Sequence, residues 1–408
     1  MFKNIILICF VLSINACGSS SSDTQEFSTV TKSALGNELF HDKNLSLNRT
    51  QSCATCHASE QAFIDIRLDA FGNISAVSVG DDGFSLGDRN TPMAAYAQFS
   101  PDFHIGARVR HQTEQNAFKN YAGALGGQFL DGRELDLKGQ ASAPPLNPVE
   151  MNMPDKASVV ARLQENDDYI VDFTTLFGSD IFDDTDAAYA AMAESMGEFE
   201  KTIQFAPFDS KYDRSLTGAY TLTFKENAGR AIFFSQFANC GICHQLHAQF
   251  DLINRTKETF TGYEYHNLGV PENAAVRALN GVSGPDNGLQ LNTGVDADRG
   301  KFKVPTLRNV AVTEPYMHNG VFRDLTTVIE FYNHISNRSE PSHQMNPETG
   351  LIWELPEVAD NISIGELASG DVTKMDSVTE IENMVCFLRI LTDAKYEHLI
   401  QEKGIICH

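Results

Sequence analysis

The 408-residue chain is short of basic residues, of tryptophan and of long apolar runs. Lys and Arg total 31 against 54 Asp and Glu, so the formal net charge is −23. Because nucleic acids and anionic membrane surfaces are bound through basic patches, this balance argues against both as partners. No segment beyond the N-terminus approaches the roughly 18 apolar residues of a membrane-spanning helix. A hydrophobic content of 42% is nevertheless enough for packed cores.

The N-terminus has the features of an export signal. Lys3 precedes the apolar stretch Ile5–Ile14, which is too short to span a bilayer. The run Ile14-Asn15-Ala16-Cys17 is similar to a bacterial lipobox, in which the cysteine is lipidated; an ordinary signal peptide with a chance cysteine is the alternative. We expect a lipoprotein signal peptide at 1–16, a lipidated tether at 17–29 and a location in the bacterial periplasm. Membrane contact would then be made only through the lipid.

Eight cysteines are present, and they fall into distinct groups. Cys9 lies in the signal, Cys17 ends the lipobox, and four belong to two short motifs. Cys386 and Cys407 remain, and in an oxidising compartment they are able to form a disulfide. Two independent thiols are the alternative, because the sequence does not show whether their Cα atoms come within about 7 Å.

The C-x-x-C-H motif occurs twice, at Cys53–His57 and at Cys240–His244. Two thiols at this spacing on a helical turn reach the two vinyl groups of a haem, and the adjacent histidine then lies under the iron. The sequence therefore predicts two covalent c-type haems. They are attached through Cys53, Cys56, Cys240 and Cys243, with His57 and His244 as proximal ligands.

The chain is expected to be mainly α, with two tandem cytochrome c-like domains and long loops. Apolar residues recur at helical spacing in four segments, at Ala157–Gln164, Ala187–Ile203, Leu222–Phe237 and Val378–Leu391. Long loops rich in Gly, Asp and Asn cover Gly72–Asn90 and Gly281–Gly300. No internal repeat is visible beyond the haem motifs.

Domain boundaries follow from a break in the helical pattern at Ala206–Tyr220, where the connection between the domains is expected. This places an N-terminal haem domain at 30–207 and a C-terminal haem domain at 208–400. A short tail at 401–408 ends the chain.

The segment Lys303–Gly320, which reads KVPTLRNVAVTEPYMHNG, resembles the signature of bacterial di-haem cytochrome c peroxidases and the related MauG enzymes. Asp131-Gly-Arg133 and Leu146–Met151 match the same family. The resemblance extends over nearly the whole chain after the tether. It implies an exported enzyme that reduces H2O2 at the N-terminal haem and exchanges electrons with a protein donor or protein substrate through the C-terminal haem.

The resemblance also identifies a candidate for the second ligand of the C-terminal haem. Peroxidases of this family have a methionine fourteen residues after the signature histidine; counting from His318 leads to Tyr332. MauG-type enzymes have tyrosine there, and a phenolate stabilises oxidised iron where a thioether favours ferrous iron. The alternative is a packing role for Tyr332, with Met345, Met375 or Met384 as the ligand.

The N-terminal haem is expected to keep an open face. No histidine occurs between His57 and His104, so the loop after the first motif lacks the ligand that closes some family members. His104 or His111 remains the alternative.

The resemblance assigns the pocket above this open face to Gln140, Pro144 and Glu150. A carboxylate there moves a proton between the two peroxide oxygens, and an amide orients the peroxide. Taken alone, Glu150 would more often be a carboxylate at a helix start.

A calcium ion between the haems is also implied by the resemblance. The matching positions are the Asn90 side chain and the carbonyls of Thr313 and Pro315, and oxygen ligands of this kind suit Ca²⁺. Asn90 capping a turn is the alternative.

One position departs from the family pattern. The tryptophan expected between the haems is replaced by Leu130, which has no accessible oxidation state, and the single tryptophan, Trp353, lies elsewhere. Electrons would then tunnel directly, or pass through Phe129, Tyr121 or another aromatic residue; of the two named, Tyr121 is the better candidate on redox grounds.

Three functions are consistent with these features. The first is a MauG-like peroxidase that oxidises a protein partner. The second is a conventional peroxidase supplied by a small cytochrome or cupredoxin. The third is a non-catalytic di-haem electron carrier or redox sensor, against which Gln140 and Glu150 argue, because a carrier needs no acid–base pocket.

Overall fold

The computed structural model describes residues 30–110, 120–235, 238–246, 257–336, 343–363, 375 and 377–408. The signal peptide, the tether with Cys17, and His111 lie outside these ranges. Helices make up most of the regular structure there. None of the helices in the described ranges combines the length and apolar character needed to cross a membrane.

The helices start where side chains cap them. Asp184 accepts hydrogen bonds from N–H groups in the first turn of the helix Thr185–Glu200, and Ser377 forms a capping box at the start of the helix Val378–Arg389. Along the described chain, the α-helices are α1 (Lys32–His41), α2 (Cys53–Cys56), α3 (Leu137–Ser142), α4 (Lys156–Leu163), α5 (Asp167–Phe177), α6 (Thr185–Glu200), α7 (Lys211–Leu216), α8 (Phe224–Phe233), α9 (Ala274–Asn280), α10 (Gln290–Thr293), α11 (Leu325–Ser336) and α12 (Val378–Arg389).

The strands in the described ranges are short and form antiparallel pairs. β1 (His104–Arg108) pairs with β2 (Tyr121–Leu125), with His104 opposite Leu125 and Arg108 opposite Tyr121. β3 (Tyr265–His266) pairs with β4 (Phe302–Lys303), and Tyr265 lies opposite Lys303. β5 (Met345–Asn346) pairs with β6 (Leu351–Ile352).

One helix crossing occurs twice. α1 packs on α6 and α8 packs on α12, and in each case the first helix precedes a C-x-x-C-H motif. A Cβ on Gly36 of α1 would lie 1.9 Å from the Ser195 carbonyl oxygen, and one on Gly229 of α8 would lie 1.9 Å from that of Asn383. Only glycine permits such an approach. The sequence shows no repeat beyond the motifs, because the feature that recurs is helix packing rather than residue identity.

Two large apolar cores accompany the two crossings. The first contains buried residues between Leu35 and Met196, and the second contains buried residues between Tyr212 and Ile405. The segment Ala206–Tyr220 was expected to break the helical pattern, but it contains α7, whose Tyr212 belongs to the second core. This part of the prediction was wrong, because the helix is too short to show a periodic pattern.

The C-terminal residues are fastened to α12. Cys386 and Cys407 form a disulfide with their Cα atoms 5.4 Å apart, which resolves the choice that the sequence left open. The Arg389 guanidinium also donates hydrogen bonds to the carbonyls of Gln401 and Ile405. Ile405 and Cys407 are thus packed against the second core, whereas most of the other residues of the segment 401–408 are exposed.

Candidate haem and peroxide site

The two C-x-x-C-H motifs open into one cavity of about 880 Å³. α2 contains Cys53 and Cys56, and a 3-10 turn at Cys240–Ile242 starts the second motif. Other side chains singled out by the sequence also line this cavity: Asn90, Leu130, Gln140, Pro144, Glu150, Thr313, Pro315 and Tyr332. The fold therefore brings the predicted residues together in one interior space.

The two motif histidines are held in the same way. Nδ1 of His57 lies 2.9 Å from the Phe63 carbonyl oxygen, and Nδ1 of His244 lies 2.9 Å from that of Phe260. A carbonyl only accepts, so Nδ1 carries the proton and Nε2 keeps its lone pair. Burial lowers the pKa of both rings, that of His244 to about 4, so the neutral form is favoured. Both imidazoles are prepared to bind a metal through Nε2.

The four motif cysteines are free thiols, and all are partly buried in the cavity wall. Cys243 also forms a cluster with Glu264 and His266 in which the donor atoms lie within 4.8 Å of one another. Glu264 is already paired with Arg110 at 2.7 Å, and thioether formation would remove Cys243 as an ionic ligand. Two thiol pairs and two aligned imidazoles fit two covalent haems better than a separate metal site.

Glu150 lies in the cavity wall at the end of a turn. One carboxylate oxygen accepts a hydrogen bond from the Asn147 side-chain amide at 2.8 Å. Burial raises the pKa of Glu150, and the positive charge of Arg133 opposes this shift. Gln140 projects from α3, and its side-chain amide makes no hydrogen bond to the described residues. An acid–base group and a free amide therefore share the wall with Pro144.

Tyr332 lies on α11 and faces the cavity. Burial raises the pKa of its phenol, and the thiols of Cys243 and Cys240 add to the shift, which places the phenol near the second motif. Its hydroxyl makes no hydrogen bond to the described residues.

The three methionines considered as alternatives lie in different environments. Met345 is 49% exposed and is absent from the cavity wall as described, which removes it as a candidate. Met375 and Met384 line the cavity, and both also belong to the second apolar core. These two methionines, but not Met345, remain to be tested against Tyr332.

His104 does not reach the cavity. It is exposed in β1, and its Nδ1 is hydrogen-bonded to the Asp102 carbonyl at 2.8 Å. Among the described residues, His104 is therefore removed as a second ligand for the N-terminal haem.

The predicted calcium positions converge on the same cavity. The Asn90 side-chain amide donates to the Ala76 carbonyl at 3.1 Å, which leaves its side-chain oxygen available as a ligand. Thr313 and Pro315 line the cavity as well. Donor chemistry and position are compatible with a hard cation.

Leu130 and the residues beside it are held by hydrogen bonds and a cation–π contact. Its carbonyl accepts a hydrogen bond from the Lys303 N–H at 2.8 Å, and the Lys303 ammonium donates to the Gly127 carbonyl. Phe129 lies under the Arg133 guanidinium, 3.5 Å from its ring centroid. Tyr121 does not itself line the cavity and its hydroxyl donates to the Ala124 carbonyl, but its ring lies 5.5 Å from that of His266, which does line it. Tyr121 as a relay therefore stays a prediction.

Sequence reasoning missed two ionisable residues in the wall. Glu200, at the end of α6, is buried without a hydrogen bond to the described residues, and burial raises its pKa to about 8. Lys303 is partly buried in the wall, and this burial lowers its pKa to about 7 against the opposing effect of Asp131. The sequence feature that could have identified Glu200 is a charged residue at the end of an apolar helix. Lys303 could have been identified because it is the first residue of the signature segment.

Comparisons with known proteins agree with this geometry. A family model described as di-haem cytochrome c peroxidase matches residues 30–221. The methylamine utilization protein MauG of Paracoccus denitrificans is 47% identical over 373 residues, which cover 90% of each chain. Cytochrome c peroxidase Ccp of Escherichia coli is 29% identical, covering 71% of this chain and 50% of the relative. The crystal structure of the diheme peroxidase BthA from Burkholderia thailandensis superposes with a TM-score of 0.75 at 26% identity, covering 92% of this chain and 89% of BthA.

Proposed function

The chain belongs to the di-haem cytochrome c peroxidase family, and we propose that it is a MauG-like member that uses H2O2 to oxidise a protein partner. The single observation that carries this proposal is the placement of Tyr332, rather than a methionine in its register, in the cavity wall near the second motif. The high identity to a MauG protein supports it. Each haem would supply an iron that exchanges electrons above its proximal histidine.

The side chains at the N-terminal haem site have separate roles. Glu150 takes the proton from the proximal oxygen of peroxide and returns it to the departing oxygen, while Asn147 fixes the carboxylate. Gln140 donates a hydrogen bond that orients the peroxide. Pro144 has no N–H and therefore offers no backbone donor that would compete with Gln140 for the peroxide. His57 would hold the iron of this haem, and His104, the described alternative for a second ligand, does not line the cavity.

Replacement of Tyr332 by phenylalanine tests the C-terminal ligand. We expect the variant to change the low-spin signal of the C-terminal haem in the di-ferric protein and to leave the high-spin N-terminal signal unaltered, because only one phenol is lost. Electron paramagnetic resonance at low temperature measures both. Met384→Leu is the matched control and should leave both signals in place. An unchanged spectrum in Tyr332→Phe, or a changed one in Met384→Leu, would reject Tyr332 as the ligand.

A conventional peroxidase is the second candidate function. Leu130 favours it, because a MauG-like enzyme that shares oxidising equivalents between its haems needs an electron route between them, and leucine has no accessible oxidation state. Adding H2O2 without reductant distinguishes the two: a long-lived oxidised state supports the MauG-like function. Rapid steady turnover with reduced cytochrome c supports the conventional one. Two low-spin haems in the resting protein would contradict an open N-terminal iron in either case.

We also propose that Ca²⁺ binds between the haems through Asn90, Thr313 and Pro315. Prolonged chelation of the purified protein is expected to release about one calcium per chain and to alter the haem spectra, and added Ca²⁺ should restore them. Elemental analysis provides the count. Asn90→Ala should lower the calcium content, whereas substitution of the exposed Asn292 should not. Full occupancy in Asn90→Ala would contradict the site.

The repeated helix crossing supports two tandem haem domains, joined near Ala206–Tyr220. Export to the periplasm and lipidation of Cys17 remain proposals that rest on the sequence alone. Mass spectrometry of the N-terminal peptide tests them, since a cleaved, acylated Cys17 is expected and an unmodified N-terminus would contradict the anchor.

A further inference from the structure

The proximal sides of the two haem sites are connected through the protein by a path that does not include Leu130. The path begins at His57, whose Nδ1 donates to the Phe63 carbonyl at 2.9 Å. The same carbonyl accepts the Ala94 N–H at 3.2 Å, and Ala94 lies two residues before Tyr96. Phe63 also stacks on Phe205 with ring centroids 4.0 Å apart. The Phe205 carbonyl in turn accepts the Tyr96 N–H at 3.0 Å.

Arg308 continues the path from Tyr96 to the second site. Its guanidinium lies 5.5 Å from the Tyr96 ring centroid and 5.4 Å from that of Phe260. It also donates to the Glu258 carbonyl at 2.6 Å. The Phe260 carbonyl accepts the Nδ1 proton of His244 at 2.9 Å. Tyr96 is therefore an oxidisable ring between the two proximal histidines.

The Tyr96 phenol has a built-in proton acceptor. Its hydroxyl donates to the Asp393 carboxylate at 2.6 Å and accepts the Phe208 N–H at 3.3 Å. Asp393 is held by Asn309, whose side-chain amide donates to the other carboxylate oxygen at 2.8 Å. Burial raises the pKa of Asp393 to about 6, so the group is a carboxylate at neutral pH. Tyr96 and Asp393 are both almost completely buried, which shields the pair from bulk water.

We propose that Tyr96 is a redox relay between the two haem sites and that Asp393 is its proton acceptor. When H2O2 has oxidised a haem site, one electron passes from the Tyr96 ring to that site. The phenolic O–H bond breaks, and the proton forms a new O–H bond on Asp393. The phenoxyl oxygen keeps the Phe208 hydrogen bond. An electron from the other haem site or from the protein partner restores the tyrosine as the proton returns. The inference rests on the family's peroxidase activity and holds for either type of partner.

The test uses the holoenzyme with both haems, oxidised by H2O2 without reductant and frozen within milliseconds to seconds. Electron paramagnetic resonance should show a tyrosyl radical in the wild-type protein, narrowed when ring-deuterated tyrosine is incorporated. Tyr96→Phe should lose the signal and Asp393→Asn should weaken it, because asparagine does not accept the proton. Tyr121→Phe is the matched control, since this tyrosine is also buried and lies 5.5 Å from an arginine, Arg110. It should retain the radical.

A radical that persists in Tyr96→Phe, one that disappears in Tyr121→Phe, or none in the wild-type protein would overturn the relay. The di-ferric spectrum and circular dichroism of Tyr96→Phe show whether the variant folds. If it does not fold, fluorotyrosine incorporated throughout the wild-type chain should still shift the radical's hyperfine pattern, and an unshifted pattern overturns the relay. Peroxide consumption is measured in the same samples. Normal consumption without a tyrosyl radical rejects the relay alone, whereas no consumption also rejects the peroxidase function.

Discussion

Replacing Glu150 with glutamine is expected to slow the reaction with H2O2 by roughly 10²–10⁴-fold, the usual contribution of a positioned general acid–base group. Glutamine keeps the size of the side chain and a hydrogen bond with Asn147 but does not exchange the proton. The resting haem spectra should therefore be unchanged. Stopped-flow mixing of the di-ferric protein with excess H2O2 measures the rate directly.

The second buried carboxyl in the cavity wall provides the discriminating control. Glu200 lines the same cavity, and the charges of both carboxylates raise the pKa of Cys53. Glu150 is held by the Asn147 amide, whereas Glu200 has no hydrogen bond to the described residues and no positive group opposes its raised pKa. Glu200→Gln should keep a peroxide rate close to that of the wild-type protein. If Glu200→Gln suffers the larger loss, the acid–base assignment belongs to Glu200 and Glu150 is structural.

The pH profile gives an independent check on Glu150. Burial raises its pKa, and the carboxylate form is the one that takes the peroxide proton. The rate should therefore fall as the pH decreases through this raised pKa, which lies above that of a solvated glutamate. Glu150→Gln should lack this acidic limb. A limb that is retained in the variant would assign the titration to another group.

The fold was predictable where local periodicity is strong. The segments Ala157–Gln164 and Val378–Leu391 were placed within one or two residues of α4 and α12, because each buries a regular apolar stripe. The predicted helix Leu222–Phe237 begins two residues before α8, which ends at Phe233. α7 was missed because six residues do not establish a period. Gly36 and Gly229 were also missed, since a close helix crossing depends on a distant partner.

The haem-attachment residues of the site were predictable from the sequence, because covalent attachment requires a fixed spacing of the two cysteines and the histidine. Two C-x-x-C-H motifs determine the attachment residues without any knowledge of the fold. The acceptor carbonyls of Phe63 and Phe260 were not predictable, because a backbone oxygen has no residue signature and both residues have left-handed φ angles of 59° and 52°. Tyr96 was missed for a similar reason: its partner Asp393 is 297 residues away.

Arg308 is the centre of this long-range organisation. Its side chain is completely buried and makes two hydrogen bonds to Asp213, at 2.5 and 2.8 Å. It also donates to Ser210 and to the Glu258 carbonyl. Four aromatic rings surround the guanidinium with centroids 5.0–5.8 Å away, those of Tyr96, Phe208, Tyr212 and Phe260. The Arg308 guanidinium therefore neutralises the buried Asp213 carboxylate. It also contacts residues that precede, lie within and follow the segment Ala206–Tyr220.

Arg308→Met is expected to lower the free energy of unfolding by about 3–5 kcal/mol, because it leaves Asp213 as a buried carboxylate without its cation. Urea unfolding of the holoprotein, followed by far-ultraviolet circular dichroism, measures the change. Arg214→Met, at the α7 residue next to Asp213, is the control. Its pair with Glu397 is partly solvated, at 33% and 27% exposure, and its loss should cost less than about 1 kcal/mol.

A double variant separates the buried charge from the lost packing. Arg308→Met combined with Asp213→Leu should recover part of the stability, since no unpaired carboxylate remains. Recovery is expected to be incomplete, because Asp213 also accepts hydrogen bonds from the Ser210 N–H and hydroxyl at the start of α7. If Arg308→Met loses less than about 1 kcal/mol, water reaches Asp213 and the pair is not the desolvated centre that its burial indicates. If the double variant is less stable than Arg308→Met, the α7 cap, rather than charge neutralisation, is the main contribution of Asp213.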